Sequence, residues 1–285
     1  MPKTWFSPAK INLFLHVISK REDGYHNLET IFQLLDYGDE ISIESTQDGK
    51  IKRLIGNEEI PHEEDLLVKS ARLLQQYTNC KKGCHISIVK NIPSGGGLGG
   101  GSSNAATVLI ALNHLWQTHL SQKDLASLGL QLGADVPIFI HGKSAWASGI
   151  GEVITPVSLP THYFLVVSIG KHISTQEIFS HKALTMTAPI GKICDFSEIS
   201  NPHNDCLDAA GDLESEILEA LTHLKSTNHQ LYEPRMTGSG SCVFAEFETK
   251  EQALVALNKL PNKWSGFVSK ALNTSPLHNW AVAKR

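Results

Sequence analysis

The sequence predicts an α+β fold with two subdomains, on three observations along its 285 residues. Strand-like and helix-like patterns both occur, but without the regular strand–helix alternation of a doubly wound parallel sheet. The first pattern is a strand, and a strand–helix–strand unit closes the second half. No internal repeat or low-complexity linker interrupts the chain. We therefore place an N-terminal domain at residues 1–158 and a C-terminal domain at residues 159–285.

The first half begins with a predicted strand. Apolar residues recur at every second position from Ile11 to Val17, which is the period of a half-buried strand. Lys10 and Asn12 share the opposite face of that strand. An Asp-Gly turn signal follows within residues 21–26. The remaining patterns of this half predict, in order, a strand, a helix, a strand and two helices over residues 40–44, 65–76, 84–89, 102–116 and 121–129.

The second half begins with an apolar run that predicts a buried strand over residues 163–168. Ser174 and Glu177 have the spacing of a capping box and predict the start of a short helix. The remaining patterns predict a helix, a strand, a helix and a strand over residues 213–224, 241–247, 250–257 and 266–271.

Composition restricts the classes of function. The hydrophobic content of 41% and the charged content of 19% are ordinary for a globular enzyme. A net charge of −4 argues against a nucleic-acid partner held by a general basic field, although it leaves room for a local basic site. The chain shows no targeting signature and no apolar run near the ~18 residues that a membrane span needs. We expect a cytoplasmic protein without a membrane partner, whose five scattered cysteines are reduced thiols.

The most informative segment is a glycine run. Six of the seven residues from 95 to 101 are glycine, and a predicted helix follows directly. Each glycine in a regular element is less favourable than alanine by about 0.5–1 kcal/mol, because it loses more backbone entropy on folding. A chain keeps such a run where its backbone must approach a ligand closely or adopt positive φ. The usual ligand of such a backbone at a helix start is phosphate.

The glycine run does not fit three familiar kinds of glycine-rich segment. It contains the spacing of a dinucleotide-binding fingerprint, but no acidic residue ends a second strand about 20 positions on. A P-loop would need Lys-Ser or Lys-Thr after the last glycine, where this chain has Ser102-Ser103. A flexible linker would not be flanked tightly by a strand and a strong helix. The run therefore predicts a phosphate cradle of glycine amides and a helix N terminus, with two serine hydroxyls available to phosphate or magnesium.

Several motifs resemble the signatures of the GHMP kinase superfamily, which includes galactokinase, homoserine kinase and mevalonate kinase. Pro93–Ala106 resembles the superfamily's phosphate loop. Ser7–Leu13 resembles its N-terminal strand motif, and Met236–Phe244 resembles its second glycine-rich turn. Arg21–His26 and Leu132–Pro137 narrow the resemblance to the branch that phosphorylates a CDP-linked methylerythritol on the non-mevalonate route to isoprenoid precursors.

The resemblance implies an N-terminal α+β nucleotide domain joined to a ferredoxin-like C-terminal domain. It also implies ATP and Mg²⁺ as cofactors and a small CDP-linked molecule as the substrate that receives the phosphoryl group. Asp135 would take the proton from the substrate hydroxyl. The charge of Lys10 would keep that carboxylate ionised and stabilise the charge that develops on transfer.

The resemblance also implies the binding residues. Those for the CDP-linked substrate are Asn12, Tyr25, His26, Thr175 and Phe179. Those for ATP are Lys90, Pro93, Ser94, Gly95, Gly96, Gly97, Leu98, Gly99, Gly100, Gly101, Ser102 and Ser103. The metal ligands are not implied, and Ser102 is the candidate.

Plainer interpretations of the same residues stay open at this point. An aspartate such as Asp135 in a turn commonly caps a helix, and a strand lysine such as Lys10 commonly lies exposed at a sheet edge. Three positions depart from the superfamily pattern, where Asp65 replaces a common asparagine, Asn104 a common aspartate and Gln176 a proline of some relatives. The Asp65 substitution changes the polar group that a nucleoside would meet there.

Two rival functions are another small-molecule kinase of the superfamily and a catalytically silent nucleotide-binding regulator. The segment at residues 21–26 argues against the first, because it belongs to the branch specific for a CDP-linked substrate. The presence of both Lys10 and Asp135 argues against the second, because a silent relative would be free to lose them. Monomer and homodimer both stay open.

Overall fold

The computed structural model describes residues 2–56, 60–191, 196, 199 and 202–278. Ten strands form one sheet in this part of the chain. The strands are β1 (Lys3–Lys20), β2 (His26–Thr46), β3 (Ile51–Ile55), β4 (Gly83–Val89), β5 (Ala145–Gly149), β6 (Val153–Pro156), β7 (Tyr163–Ser168), β8 (Arg235–Met236), β9 (Val243–Phe247) and β10 (Ser265–Leu272). The helices are α1 (Leu66–Thr78), α2 (Gly100–Trp116), α3 (Gln122–Leu130), α4 (Val136–His141), α5 (Thr175–Ser180), α6 (Leu207–Leu213), α7 (Glu216–Lys225) and α8 (Lys250–Leu257), with a 3₁₀ turn at Pro276–His278.

The long strand β2 organises the sheet. It pairs antiparallel with β1, β4 and β5, and the end of β10 pairs with it at Leu34 and Leu35. The main path through the sheet runs β3-β4-β2-β10-β7-β9-β8. Because the rest of β10 pairs with β7 over Ser265–Lys270, one strand connects the two halves of the chain.

Three hydrophobic clusters fill the molecule. In the first, α1, α2 and α4 cover β2 and β4, with Leu67, Val108 and Phe139 among the buried residues. In the second, α6, α7 and α8 cover β7 and β9. The third draws on both halves, since β1 residues such as Ile11 pack with Phe244 of β9. The middle of β1, the glycine run and the turn before β9 therefore meet at the junction.

Most predicted elements are confirmed, and so is the α+β class. The predicted capping box at Ser121 and Asp124 starts α3, and Ser174 caps α5. The predicted helix over 213–224 is wrong in its start, because Leu213 ends α6 and α7 begins at Glu216. The division at residue 158 stays a prediction and falls between β6 and β7.

Two further details differ from expectation. The strand β1 is buried on both faces, because α2 covers one side and the junction cluster the other, so Asn12 and His16 are as inaccessible as Ile11. The helix α2 begins two residues before Ser102, at Gly100.

Two expectations drawn from composition can be compared with the described residues. Cys80, Cys84, Cys206 and Cys242 are free thiols, while Cys194 lies outside the described residues. Within the described ranges, no helix has both the length and the apolar character required to cross a bilayer.

Candidate active site

A cavity of about 1480 Å³ opens at the junction of the two halves. Three groups of predicted site residues line it together. They are the pair Lys10 and Asp135, the glycine run with Lys90, Pro93 and Ser94, and the substrate set of Asn12, Tyr25, His26, Thr175 and Phe179. Residues far apart in sequence thus share one surface, because β1 and β2 carry one wall and the loops before α2, α4 and α5 carry the others.

At the floor of the cavity, Lys10 and Asp135 form an ion pair. The Lys10 Nζ atom lies 3.1 Å from Asp135 Oδ2, 2.7 Å from Asn12 Oδ1 and 3.1 Å from the Gly97 carbonyl oxygen. The lysine is only 2% exposed, so the edge-strand interpretation is wrong. These three oxygens match the three donors of an ammonium group.

The Asp135 carboxylate is oriented toward the cavity rather than used for capping. It occupies the N-cap position of α4, yet its side chain makes no capping hydrogen bond. About 31% of the side chain is exposed. Because Lys10 is its ion-pair partner and solvent reaches the other side, the carboxylate is free to accept a proton from a bound hydroxyl.

The glycine run has the backbone geometry expected of a cradle. Gly95, Gly97 and Gly99 have φ angles of +68°, +74° and +69°, in the left-handed region that favours glycine. At Gly97 an added Cβ would lie 2.1 Å from the Thr237 carbonyl oxygen, so a side chain is excluded there on contact grounds as well. Gly99 is the N-cap of α2, and the first N–H groups of that helix lack intrahelical partners.

Lys90 lies beside the start of α2. Its Nζ is 3.4 Å from the position of a Cβ added at Gly100. It pairs with the carboxylate of Asp39, which is fully buried and also accepts hydrogen bonds from the backbone N–H groups of Asn91 and Ile92 at 2.7 and 2.9 Å. Asp39 thereby fixes both the lysine and the entry to the glycine run. In the sequence, Asp39 lies just before a predicted strand, and that position did not indicate its pairing with Lys90.

The two serines that follow the run point in different directions. Ser102 lines the cavity. Ser103 is buried and accepts a hydrogen bond from the Ser7 hydroxyl at 2.8 Å, and Asn104 also pairs with Ser7 at 2.8 Å. The hydroxyl of Ser102 is therefore on the cavity side, whereas that of Ser103 joins the loop to β1.

An aromatic pair marks the other end of the cavity. His26 and Phe179 are stacked with ring centroids 5.2 Å apart and an interplanar angle of 28°. Burial, followed by the charge of Lys20, lowers the pKa of His26, so its imidazole is neutral near pH 7 and offers one donor and one acceptor. Tyr25 is 57% exposed at the rim. Thr175 lies nearby, with its hydroxyl 2.9 Å from that of Ser239.

Asn12 lies beside Lys10 rather than at the aromatic end. Its side-chain nitrogen donates to Thr30 at 2.9 Å, while its oxygen accepts from Lys10. Its backbone N–H donates to the Thr237 hydroxyl at 3.0 Å, and that hydroxyl donates to the Gly97 carbonyl at 3.3 Å. Thr237 thus connects β1 with the glycine run, a contact that its place in the second glycine-rich turn did not reveal.

Asn204 fixes the turn that contains Thr237. Its side-chain nitrogen donates to the carbonyl oxygens of Met236 and Gly238 at 2.9 and 2.8 Å. Its oxygen accepts from the Cys206 N–H at 2.9 Å. The residue is buried, so these bonds are shielded from water. Asn204 therefore holds the second glycine-rich turn against the first.

Asp65 lines the cavity next to the start of α1. One carboxylate oxygen caps the helix by accepting from the Leu67 N–H at 2.8 Å. The other lies 2.5 Å from an Arg53 nitrogen, so the guanidinium balances its charge. Relatives commonly have asparagine at this position, and the ion pair with Arg53 accommodates the charge of Asp65.

The comparisons with known proteins agree with this geometry. The profile of the GHMP kinases N terminal domain matches residues 65–143, and that of the GHMP kinases C terminal domain matches residues 195–266. The 4-diphosphocytidyl-2-C-methyl-D-erythritol kinase of Ruthia magnifica subsp. Calyptogena magnifica is 60% identical over 285 residues, covering 100% of both chains. The chain belongs to this family of GHMP kinases.

Other members of the GHMP kinases are similar over nearly the whole chain. The 4-diphosphocytidyl-2-C-methyl-D-erythritol kinase of Vesicomyosocius okutanii subsp. Calyptogena okutanii is 59% identical and covers 100% of both chains. A crystal structure of 4-(cytidine 5'-diphospho)-2C-methyl-D-erythritol kinase superposes with a TM-score of 0.81 at 30% identity, covering 94% of this chain and 99% of that one. The resemblance found in the sequence motifs and the two-domain GHMP kinase fold are both confirmed.

Proposed function

We propose that the protein transfers the γ-phosphoryl group of ATP to a hydroxyl group of 4-(cytidine 5'-diphospho)-2-C-methyl-D-erythritol. The observation that carries this proposal is the ion pair of Lys10 and Asp135 in a cavity with a glycine cradle at one side and an aromatic pair at the other. Two relatives named 4-diphosphocytidyl-2-C-methyl-D-erythritol kinase, 60% and 59% identical over the full chain, support the choice of substrate. A triphosphate donor and a nucleotide-linked acceptor both fit a cavity of about 1480 Å³.

In this mechanism Asp135 accepts the proton of the acceptor hydroxyl as its oxygen attacks the γ-phosphorus. Lys10, 3.1 Å away, stabilises the ionised carboxylate and the negative charge on the transferring oxygens. The amides of the glycine run and the first turn of α2 hold the phosphates of ATP in line with the acceptor. Catalysis of this kind rests on positioning and charge stabilisation, which is what these groups supply.

The oxygen donors that line the cavity fit Mg²⁺, which prefers oxygen ligands and usually shares its shell with substrate phosphates. Within the described residues, no cluster of three or more His, Cys, Asp or Glu side chains could hold a metal alone. The Ser102 hydroxyl, which lines the cavity, is the side chain that would hold the ion together with the phosphates of ATP. There the ion would offset phosphate charge.

The acceptor is oriented by its cytidine end. His26 and Phe179 present a stacking surface, and the neutral imidazole can hydrogen-bond the edge of the base. Tyr25 would cover the ring from the exposed rim, and Thr175 and Asn12 would bind the polar groups between the base and the reacting hydroxyl. We further propose a cytoplasmic location, where ATP is available, and a monomer or homodimer as the assembly.

The proposal is tested by measuring ATP consumption with three acceptors side by side. We expect turnover with the CDP-linked methylerythritol and background rates with mevalonate and homoserine. Turnover with either of the other two acceptors alone would assign the protein to a different small-molecule kinase. Binding of ATP without turnover of any acceptor would favour the silent regulator instead.

A further inference from the structure

His172 contacts the glycine run and lies just before α5, the helix that carries Thr175 and Phe179. A Cβ added at Gly95 would be 2.0 Å from His172 Nδ1, so the imidazole packs directly against the Gly95 backbone. The same side chain lines the cavity, as do Gly95 and Phe179. Thr175, only three positions further along, belongs to the substrate set.

The backbone that carries His172 is fixed on both sides. The side chains of Ile169 and Ile173 are buried in the C-terminal core. The carbonyl group of Lys171 accepts a hydrogen bond from the Ser241 hydroxyl. These anchors leave His172 as an exposed side chain on a rigid support, directed at the cavity.

The imidazole has hydrogen-bonding capacity that the protein does not use. Among the described residues, no hydrogen bond or ion pair engages its ring nitrogens. An imidazole always has at least one N–H donor, and phosphate oxygens are strong acceptors. Gly95–Gly97 line the same cavity as His172, so we expect an anion bound between them to meet backbone N–H donors as well as the imidazole.

We propose that His172 donates a hydrogen bond to a phosphate group of a bound nucleotide, at the place where the glycine run meets the segment just before α5. The inference rests on the proposed function, under which both ligands carry phosphates. The diphosphate of the CDP-linked acceptor and the triphosphate of ATP share this chemistry. The acceptor's diphosphate must bridge the aromatic pair and the Lys10–Asp135 pair, and the position of His172 beside Thr175 suits that path.

The test compares ligands with and without phosphate on the full-length protein. Calorimetric titrations with CDP, cytidine, ADP and adenosine are run on the wild type, His172→Ala and His172→Gln. We expect His172→Ala to weaken CDP binding on the order of tenfold while cytidine changes less than about twofold. His172→Gln should recover part of the loss, because its amide can donate to phosphate.

Lys171→Ala is the matched control. It removes a positive charge from the residue next to His172, and the Lys171 side chain does not line the cavity. It should leave CDP and ADP binding unchanged. Loss of ADP but not CDP affinity in His172→Ala would still support the phosphate contact and assign it to the donor nucleotide. Equal losses for CDP and cytidine, or no loss for either nucleotide, would overturn it. A wild-type protein that binds neither CDP nor ADP would overturn the proposed function as well.

Discussion

Lys10 is a buried ammonium group whose position depends on oxygen atoms from three separate segments. Asn12 lies on the same strand, Gly97 in the glycine run and Asp135 at the start of α4. The ring of Phe32 lies 5.2 Å from its Nζ and adds a cation–π contact. A buried charge without such partners destabilises a fold by several kcal/mol. The neutralising partner that solvent can reach is Asp135, which is the group proposed to react.

Replacing Asp135 with asparagine should remove the base while preserving the shape of the site. We expect kcat to fall by about 10²–10⁴, the usual contribution of a general base. Binding of a non-hydrolysable ATP analogue should change little, because the phosphates are held by the glycine run. Steady-state kinetics and a fluorescence titration measure the two effects. The exposed Asp212→Asn on α6 makes the same charge change away from the cavity and serves as control. Unchanged turnover in Asp135→Asn would assign the proton to another group.

At the scale of elements, the glycine run connects β4 to α2 while touching the second glycine-rich turn. The contact is close on both sides, since a Cβ at Gly97 would meet the Thr237 carbonyl and one at Gly238 would lie 3.1 Å from the Gly97 carbonyl. Thr237 and Asn204 complete the connection through side-chain hydrogen bonds. The two turns and β1 are therefore joined by direct contacts, and we expect a disturbance at one of them to reach Lys10.

The variant Gly97→Ala tests this coupling. The added methyl group would overlap the Thr237 carbonyl and impose a left-handed φ on alanine, which costs about 1–2 kcal/mol by itself. Gly170→Ala is the matched control, with φ +72° and nothing within 4 Å of the added Cβ. We expect both variants to lose thermal stability, and Gly97→Ala to lose at least about tenfold in kcat/KM for ATP as well. Equal kinetics in the two variants would contradict the coupling.

Local patterns predicted most elements, because alternation, helical periodicity and capping residues act over a few positions. They could not show that β1 is buried on both faces, since the second cover comes from packing between distant parts of the chain. Lys10 and Asp135 were identified from motif resemblance. The linking roles of Asp39 and Thr237 were missed because their partners lie 52 and 225 positions away, and neither residue type is unusual in its local segment.

At the scale of the whole molecule, buried and half-buried histidines contribute to the response of stability to acid. Burial lowers the pKa of His16, His141 and His278, with the charge of His203 adding to the effect at His16 and Asp205 opposing it. A histidine with a lowered pKa binds its proton more readily after unfolding. The stability linked to its neutral form is complete above about pH 6.5 and is lost as the pH falls towards the lowered value. The contribution of His162 to stability changes with pH in the opposite direction, because its hydrogen bond to Glu246 raises its pKa.

Several histidines have a lowered pKa, whereas His162 has a raised one. The melting temperature should therefore decrease as the pH is lowered from 7.5 to 5.5. His16 isolates one contribution, because it is buried against Phe14 and His203 and neither ring nitrogen has a hydrogen-bond partner within the described structure. His16→Leu therefore removes a titrating group without breaking a hydrogen bond. We expect a smaller loss of unfolding free energy over this range, by at most about 1.4 kcal/mol per pH unit. Denaturant titrations at several pH values measure it, and parallel curves for the two proteins would show that His16 takes no part in the acid response.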